Sequence, residues 1–408
     1  MDITHVIVYS VWLILSILER FEAQPRPQPR RVVCYYTNWA QYRTGRGSFE
    51  PRDINAKLCT HLVYAHAGVN VNFTIRTTEW NDLPSKWSTG MYPQFFALKK
   101  QNPTLKTMLS AGGYALSPAF AQVVQTKGTR AVFIESAIRF MRDWGFDGLD
   151  IMWEYPTKRG SKSSDKRKFS DLLKETREAF QLESYQTSSL PLLLSATVAA
   201  TKDIIDDAYE MGFVTQQVDF LNLLTYDFHG HWDGWTGHSA PLYGRVDEQG
   251  SFAYNNMNAS VNYWMDNGTP PNKINVGISP YARTFTIQID NNTLPGRPSI
   301  GPGRPGKISH EAGGLTYYEV CDIARDADIF WDDIQKVPFM VYNNQWISFD
   351  NERSIKEKLK FIKISGIGGA MFWNMPSDDF FNSCGSGRFP MLSTLHRNLV
   401  GNSISPRY

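Results

Sequence analysis

Apolar residues follow two alternating rhythms along this chain. Short runs rich in β-branched and aromatic residues occupy 32–36, 61–67, 106–110, 148–153, 192–197, 220–226, 274–278 and 368–373. Between them lie longer stretches, such as 130–144 and 166–181, with apolar residues near a 3.6 period and charges on the other face. Eight such runs interleaved with helical patterns predict an α/β fold, a (β/α)8 TIM barrel. A doubly wound sheet fits less well, because no glycine-rich phosphate loop appears. The interval between the seventh and eighth runs, about 283–349, is far longer than one barrel helix needs and contains alternating segments such as FMVYNNQWISFD. It predicts an inserted α+β subdomain.

One run breaks the rule that interior positions are apolar. In FDGLDIMWEYP, residues 146–156, strand spacing points Asp150, Met152 and Glu154 one way and Ile151 and Trp153 the other. Carboxylates are costly to bury unpaired, so a strand that aims Asp150 and Glu154 at its packed interior reads as a site. A salt-bridged strand end is the bland alternative.

Composition narrows the partners. The 408 residues are 42% apolar, enough for one large barrel domain with an insertion. A formal net charge of +2 with no dominant basic tract argues against nucleic acid and against anionic membrane surfaces, and favours a neutral polymer. An apolar run over 6–18, followed by Glu19, Arg20 and Ala23, predicts a signal segment over 1–23, or an uncleaved signal anchor, although no early Lys or Arg precedes it. Pro and Arg make 24–31 a linker, which leaves 32–400 as the barrel domain and 401–408 as a tail. Four cysteines, Cys34, Cys59, Cys321 and Cys384, suit an oxidising compartment and allow three pairings; neighbouring strands favour Cys34 with Cys59. Sequons at Asn72, Asn258, Asn267 and Asn291 are compatible with glycosylation of a secreted, extracellular chain, with Pro270 counting against the third. There is no internal repeat and no cysteine-rich C-terminal module.

The run at 146–156 resembles the DxxDxDxE signature of glycoside hydrolase family 18, the chitinases and chitinase-like lectins. Asp147, Asp150 and Glu154 match it, whereas Met152 stands where the third aspartate belongs. The resemblance extends through CYYTNWAQYR, CTHLVYAHAG, TMLSAGG, LLTYDFHG, SPYARTF, TYYEVC and GGAMFWNMPSDDF. It implies two disulfides, Cys34 with Cys59 and Cys321 with Cys384, and a groove over the barrel mouth walled by the insertion. Family 18 is an exception to two-carboxylate glycoside hydrolysis, because the substrate's own N-acetyl oxygen attacks the anomeric carbon. The resemblance therefore implies Glu154 as acid and base, Asp147 as a structural residue, and Tyr226 and Asp227 as holders of the N-acetyl group. It further implies sugar contacts from Tyr281 and Arg283, the latter braced by Glu311 or else only a structural ion pair, and from Tyr35 and Gly113. Trp373 would form the floor, with Trp39, Trp80 and Trp232 at or near the groove.

Four positions depart from the family pattern: Met152 for aspartate, Leu224 for methionine, His66 for phenylalanine and Tyr114 for tryptophan. A thioether cannot accept the acetamido N–H as a carboxylate does, and it does not titrate. Losing one preorganised transition-state contact costs about 3 to 4 kcal/mol. Asp227, His229, His231, Asp233 and His238 superficially carry metal-ligand spacing, but the resemblance assigns this loop to structure and implies no metal and no cofactor. The leading expectation is a secreted, monomeric binder of chitin or chito-oligosaccharides with hydrolysis absent or very slow. The alternatives are a low-turnover endo-chitinase, and a signalling or matrix protein that does not use the groove.

Overall fold

The computed structural model describes residues 30–288 and 293–401. The predicted signal segment, nearly all of the linker, Asn291 and nearly all of the tail lie outside these residues. The barrel begins at once, with β1 at Arg31–Thr37, so the last residue of the expected linker is already strand. There follow β2 (His61–Val69), β3 (Lys106–Gly112), β4 (Gly148–Met152), β5 (Leu193–Val198), β6 (Phe220–Leu223) and β7 (Ile274–Ile278). These strands are buried on both faces, the reason they read as near-continuous apolar runs.

Helices cover the outside. In α1 (Lys127–Trp144) the Thr126 side chain accepts from the Thr129 N–H at 3.1 Å, and the helix stops at Gly145 with φ of 72°. Bidentate ion pairs from Arg130 to Glu175 and from Arg142 to Glu183 join it to α2 (Asp165–Thr187).

After β7 the chain leaves the barrel. Strands β8 (Tyr281–Thr286), β9 (Gly314–Thr316), β10 (Asp328–Asp332), β11 (Val337–Tyr342) and β12 (Gln345–Ser348) pair antiparallel, with β8 between β9 and β12. Helix α3 (Tyr317–Ala324) packs beside them. The final strand, β13 (Gly369–Phe372), pairs with both β7 and β1, and β1 also pairs with β2, so all eight barrel strands close in parallel. The α/β barrel with an α+β insertion between its seventh and eighth strands is thus the fold that the pattern predicted.

Both disulfides implied by the family resemblance are formed. Cys34–Cys59 ties β1 to the segment before β2, and Cys321–Cys384 ties α3 to the loop after β13. Among the sequons, Asn72 is exposed and Asn258 half-buried. Asn267 is exposed, yet its partner Thr269 is buried and hydrogen-bonds Thr215 at 2.8 Å. Among the described residues no helix is long and apolar enough to cross a membrane.

Candidate functional site

Barrel register builds the site from below. Parallel pairing sets Ser110 of β3 and Ser195 of β5 level with Asp150 of β4. Asp150 is fully buried, and its carboxylate accepts from Ser195 (2.7 Å), Tyr35 (2.9 Å), Ser110 (3.0 Å) and Thr197 (3.1 Å). Burial pushes its pKa up, and the four hydroxyl donors oppose the rise. Ser110 gives its single proton to Asp150, so it accepts from Nδ1–H of His66 at 3.1 Å. Burial holds the His66 pKa down to about 3, and the imidazole is neutral.

One layer higher, Met152 is buried in the apolar cluster that contains Met108, Leu224, Tyr226 and Met371. The strand periodicity therefore holds: Asp150 and Met152 face inward, one among hydroxyls and the other in a cluster that contains no carboxylate. Glu154 follows at the rim of the barrel. Burial, and secondarily the charge of Asp227, push its carboxyl up to about 7, with Arg159 opposing. Among the described residues no side chain hydrogen-bonds that carboxylate. Tyr226 does not hold it; the Tyr226 hydroxyl lies 4.0 Å from the Met371 sulfur. Arg159 instead stacks on Tyr114, with its guanidinium carbon 3.8 Å from the ring centre, and donates to the Glu154 backbone carbonyl.

Asp227 anchors the opposite wall. Arg283 donates to both of its oxygens at 2.7 Å, Tyr281 donates at 2.8 Å, and Glu311 braces Arg283 at 2.8 Å. Burial alone would raise the Asp227 carboxyl, but the Arg283 guanidinium brings it below the usual range. Period two along β8 explains the delivery, since Tyr281 and Arg283 share one face. The Arg283 guanidinium also lies 5.5 Å from the centre of the Trp232 ring.

Aromatic rings complete the mouth. His66 packs against Trp39 at 5.7 Å and against Trp373 at 5.6 Å, centre to centre, with interplanar angles of 25° and 24°. These groups enclose a cleft of about 1210 Å³, lined by Trp39, His66, Tyr114, Met152, Glu154, Leu224, Tyr226, Asp227, Trp232, Tyr281, Arg283, Glu311 and Trp373.

Other expected contacts lie elsewhere. Tyr35 is fully buried beneath Trp373, with ring centres 5.2 Å apart, and supports the site without touching the cleft. Gly113 is buried with φ of 76°, and a Cβ there would strike the His66 ring at 2.3 Å, so it makes room for His66 and does not line the surface. Trp80 is 65% exposed and lies outside the lining. Asp147 accepts from the Thr107 N–H at 2.7 Å and pairs with Lys99 at 2.7 Å, at the far end of β4 from the cleft. In the histidine loop, His229 bonds Asp233 at 3.0 Å and His238 bonds Asp332 at 3.3 Å. Among the described residues no group of three or more His, Cys, Asp or Glu is arranged to hold a metal. Sequence reasoning missed Tyr42, Arg76, Glu79, His310 and Asn374, which also line the cleft. Asn374 directly follows Trp373 and was within reach; the others sit on loops whose course no periodicity reports.

The comparisons agree with this architecture. The sequence model for glycosyl hydrolases family 18 matches residues 31–378. Chitotriosidase-1 of Mus musculus is 40% identical over 379 residues, covering 92% of this chain and 80% of the mouse protein. The solved structure of TsES1, an immunomodulatory active chitinase from Trichuris suis, superposes with a TM-score of 0.86 at 36% identity, over 91% of this chain and 100% of that one. Human YKL-39, a pseudo-chitinase with retained chitooligosaccharide binding properties, superposes with a TM-score of 0.85 at 36% identity, over 91% and 99%.

Proposed function

The chain belongs to glycosyl hydrolase family 18, and we propose that it is a secreted binder of chitin-type oligomers of N-acetylglucosamine whose hydrolysis is lost or strongly slowed. The observation that carries this reading is the surroundings of Met152. At the inward position next above Asp150 the barrel offers a thioether among apolar side chains. The thioether cannot accept an acetamido N–H as a carboxylate would, nor hold the carbonyl oxygen toward the anomeric carbon. The rest of the cleft suits a sugar: Trp373 and Trp39 give apolar faces for axial C–H groups, and the Tyr226 hydroxyl has no strong partner to release. Two disulfides suit an oxidising compartment, which supports secretion.

One observation favours a second reading, a slow endo-chitinase. A carboxyl raised to about 7 and open to the cleft is what a general acid at Glu154 requires. It would protonate the leaving glycosidic oxygen while the substrate's acetamido oxygen attacks, then take a proton from the incoming water.

The deciding experiment compares the purified chain with its Met152→Asp variant on chitotetraose, by product release and by calorimetry. Binding without cleavage by the parent, with turnover gained by the variant, supports the first reading. The gain should be about 10² to 10³ in rate, the value of one preorganised transition-state contact. Comparable cleavage by both establishes the slow enzyme. No saturable heat from the parent overturns both.

A further inference from the structure

The loop between β6 and the helix at Met257–Asp266 leaves the C-terminal mouth of the barrel and carries more aromatic surface than the cleft uses. Trp232 lines the cleft and is 52% exposed, so it stands at the rim. Trp235 follows just after a turn at Gly234, with φ of 77°, and together with Phe252 and Tyr254 it lies outside the cleft lining. These three rings are 39%, 37% and 38% exposed. Single exposed rings are ordinary, but a group of them on the loop that borders a ligand cleft marks a binding surface.

The rings are joined and held in place. Trp235 and Phe252 meet edge to face, with centres 5.4 Å apart and planes at 70°. Against Phe252 lies the buried His229 ring, 6.1 Å away and within 16° of parallel, and His229 Nδ1 bonds Asp233 at 3.0 Å. The histidine loop whose spacing suggested a metal thus positions an aromatic ring. Trp235 is fixed through its neighbours, because the Ser299 N–H donates to the Gly234 carbonyl at 2.9 Å and the Thr236 N–H to the Arg297 carbonyl at 2.8 Å. Phe252 and Tyr254 share one short helical turn, Gly250–Tyr254. Lys202, at the start of the helix after β5, brings its ammonium to 5.6 Å from the Tyr254 ring and adds a hydrogen-bond donor beside the platform.

A cleft of about 1210 Å³ holds a short oligomer, so a longer chain must leave it across the rim. Faces of Trp, Phe and Tyr suit that chain, since pyranose C–H groups pack on rings while the hydroxyls stay in water. We propose that Trp235, Phe252 and Tyr254 extend the cleft as a platform for further N-acetylglucosamine units of a chitin-type polymer running out past Trp232. The platform rests on the reading of the cleft as a site for such oligomers, and it makes the ligand a long polymer in place of a short one.

The test measures affinity for chitotetraose by calorimetry and adsorption to colloidal chitin by binding isotherm, using the full chain. In the double variant, Trp235→Ala with Phe252→Ala, affinity for colloidal chitin should fall roughly tenfold while that for chitotetraose stays within about twofold of the parent value. Trp373→Ala, inside the cleft, should weaken both. Tyr254→Ala leaves the His229 stack intact and should weaken adsorption roughly threefold; it decides the outcome if the double variant unfolds at a lower urea concentration than the parent. Unchanged adsorption by the variants overturns the proposal. So does an equal loss on chitotetraose, which assigns the rings to the cleft itself, and so does a dimer by light scattering that the double variant abolishes, which assigns them to a second copy of the chain. A parent that takes up neither ligand overturns the cleft reading and the platform with it, whereas uptake of both with indifferent variants overturns the platform alone.

Discussion

The Tyr35 hydroxyl donates to Asp150 Oδ2 at 2.9 Å from a different strand of the barrel, and accepts from Asn222 Nδ2 at 3.0 Å. The pair belongs to a network of fully buried side chains, so each hydroxyl matters. Tyr35→Phe should destabilise the fold by about 1 to 3 kcal/mol, the cost of leaving buried polar groups short of a partner. Urea unfolding at pH 7 measures this. An unchanged midpoint would show that the remaining hydroxyls satisfy Asp150 unaided.

Glu154 gives a pH signature. Its folded-state value of about 7 lies above the ordinary 4.5, so the group contributes stability fully below pH 4.5 and loses it as pH rises through about 7. The amplitude is on the order of 3 kcal/mol. Asp378 is likewise pushed up to about 7 by burial, so the parent's slope alone cannot assign the effect. Glu154→Gln should remove a matching part of the slope, read from urea midpoints at pH 4.5 and 7.5. Identical slopes would acquit Glu154.

Arg283 and Asp227 behave in the opposite sense. The Asp227 carboxyl is held below 3.8, so its contribution is present above that value and lost only as pH falls through the lower folded value. Arg283→Ala strands a buried charge and should cost about 3 to 5 kcal/mol at neutral pH. Acid unfolding, followed by circular dichroism, should move to higher pH in the variant.

Met152→Asp adds a second buried carboxylate beside Asp150. Like charges at this spacing raise one another's pKa, so the variant should lose stability relative to the parent as pH rises from 5 to 8. Parallel melting temperatures across that range would mean that the new side chain turns away from Asp150.

Much of the barrel could be read from the chain because its strands are buried on both faces and therefore announce themselves as apolar runs. The run at 274–278 became β7 with the same ends, whereas 220–226 shortened to Phe220–Leu223. There Leu224 still donates to Val198, but Thr225 and Tyr226 leave the ladder to build the site. Period two correctly turned Asp150 and Met152 inward. It does not report depth along the barrel axis, and so it gave no check on the sugar contact that the family resemblance implied for Tyr35, which lies a layer below the cleft. In the sequence His66 reads as one of four departures around the site, with no partner named. Its bond to Ser110, and through it to Asp150, depends on the register of β2, β3 and β4, which no single run contains.

The ring cluster of Trp39, His66 and Trp373 has a mechanical consequence. Trp39 follows β1, His66 sits on β2 and Trp373 follows β13, and the β1–β13 ladder is where the two ends of the folded chain are zipped together. A rigid oligomer lying across all three rings would act as a clasp on that closure. Occupancy of the cleft should therefore slow opening of that seam, because separating β1 from β13 would pull Trp39 and Trp373 off one and the same ligand.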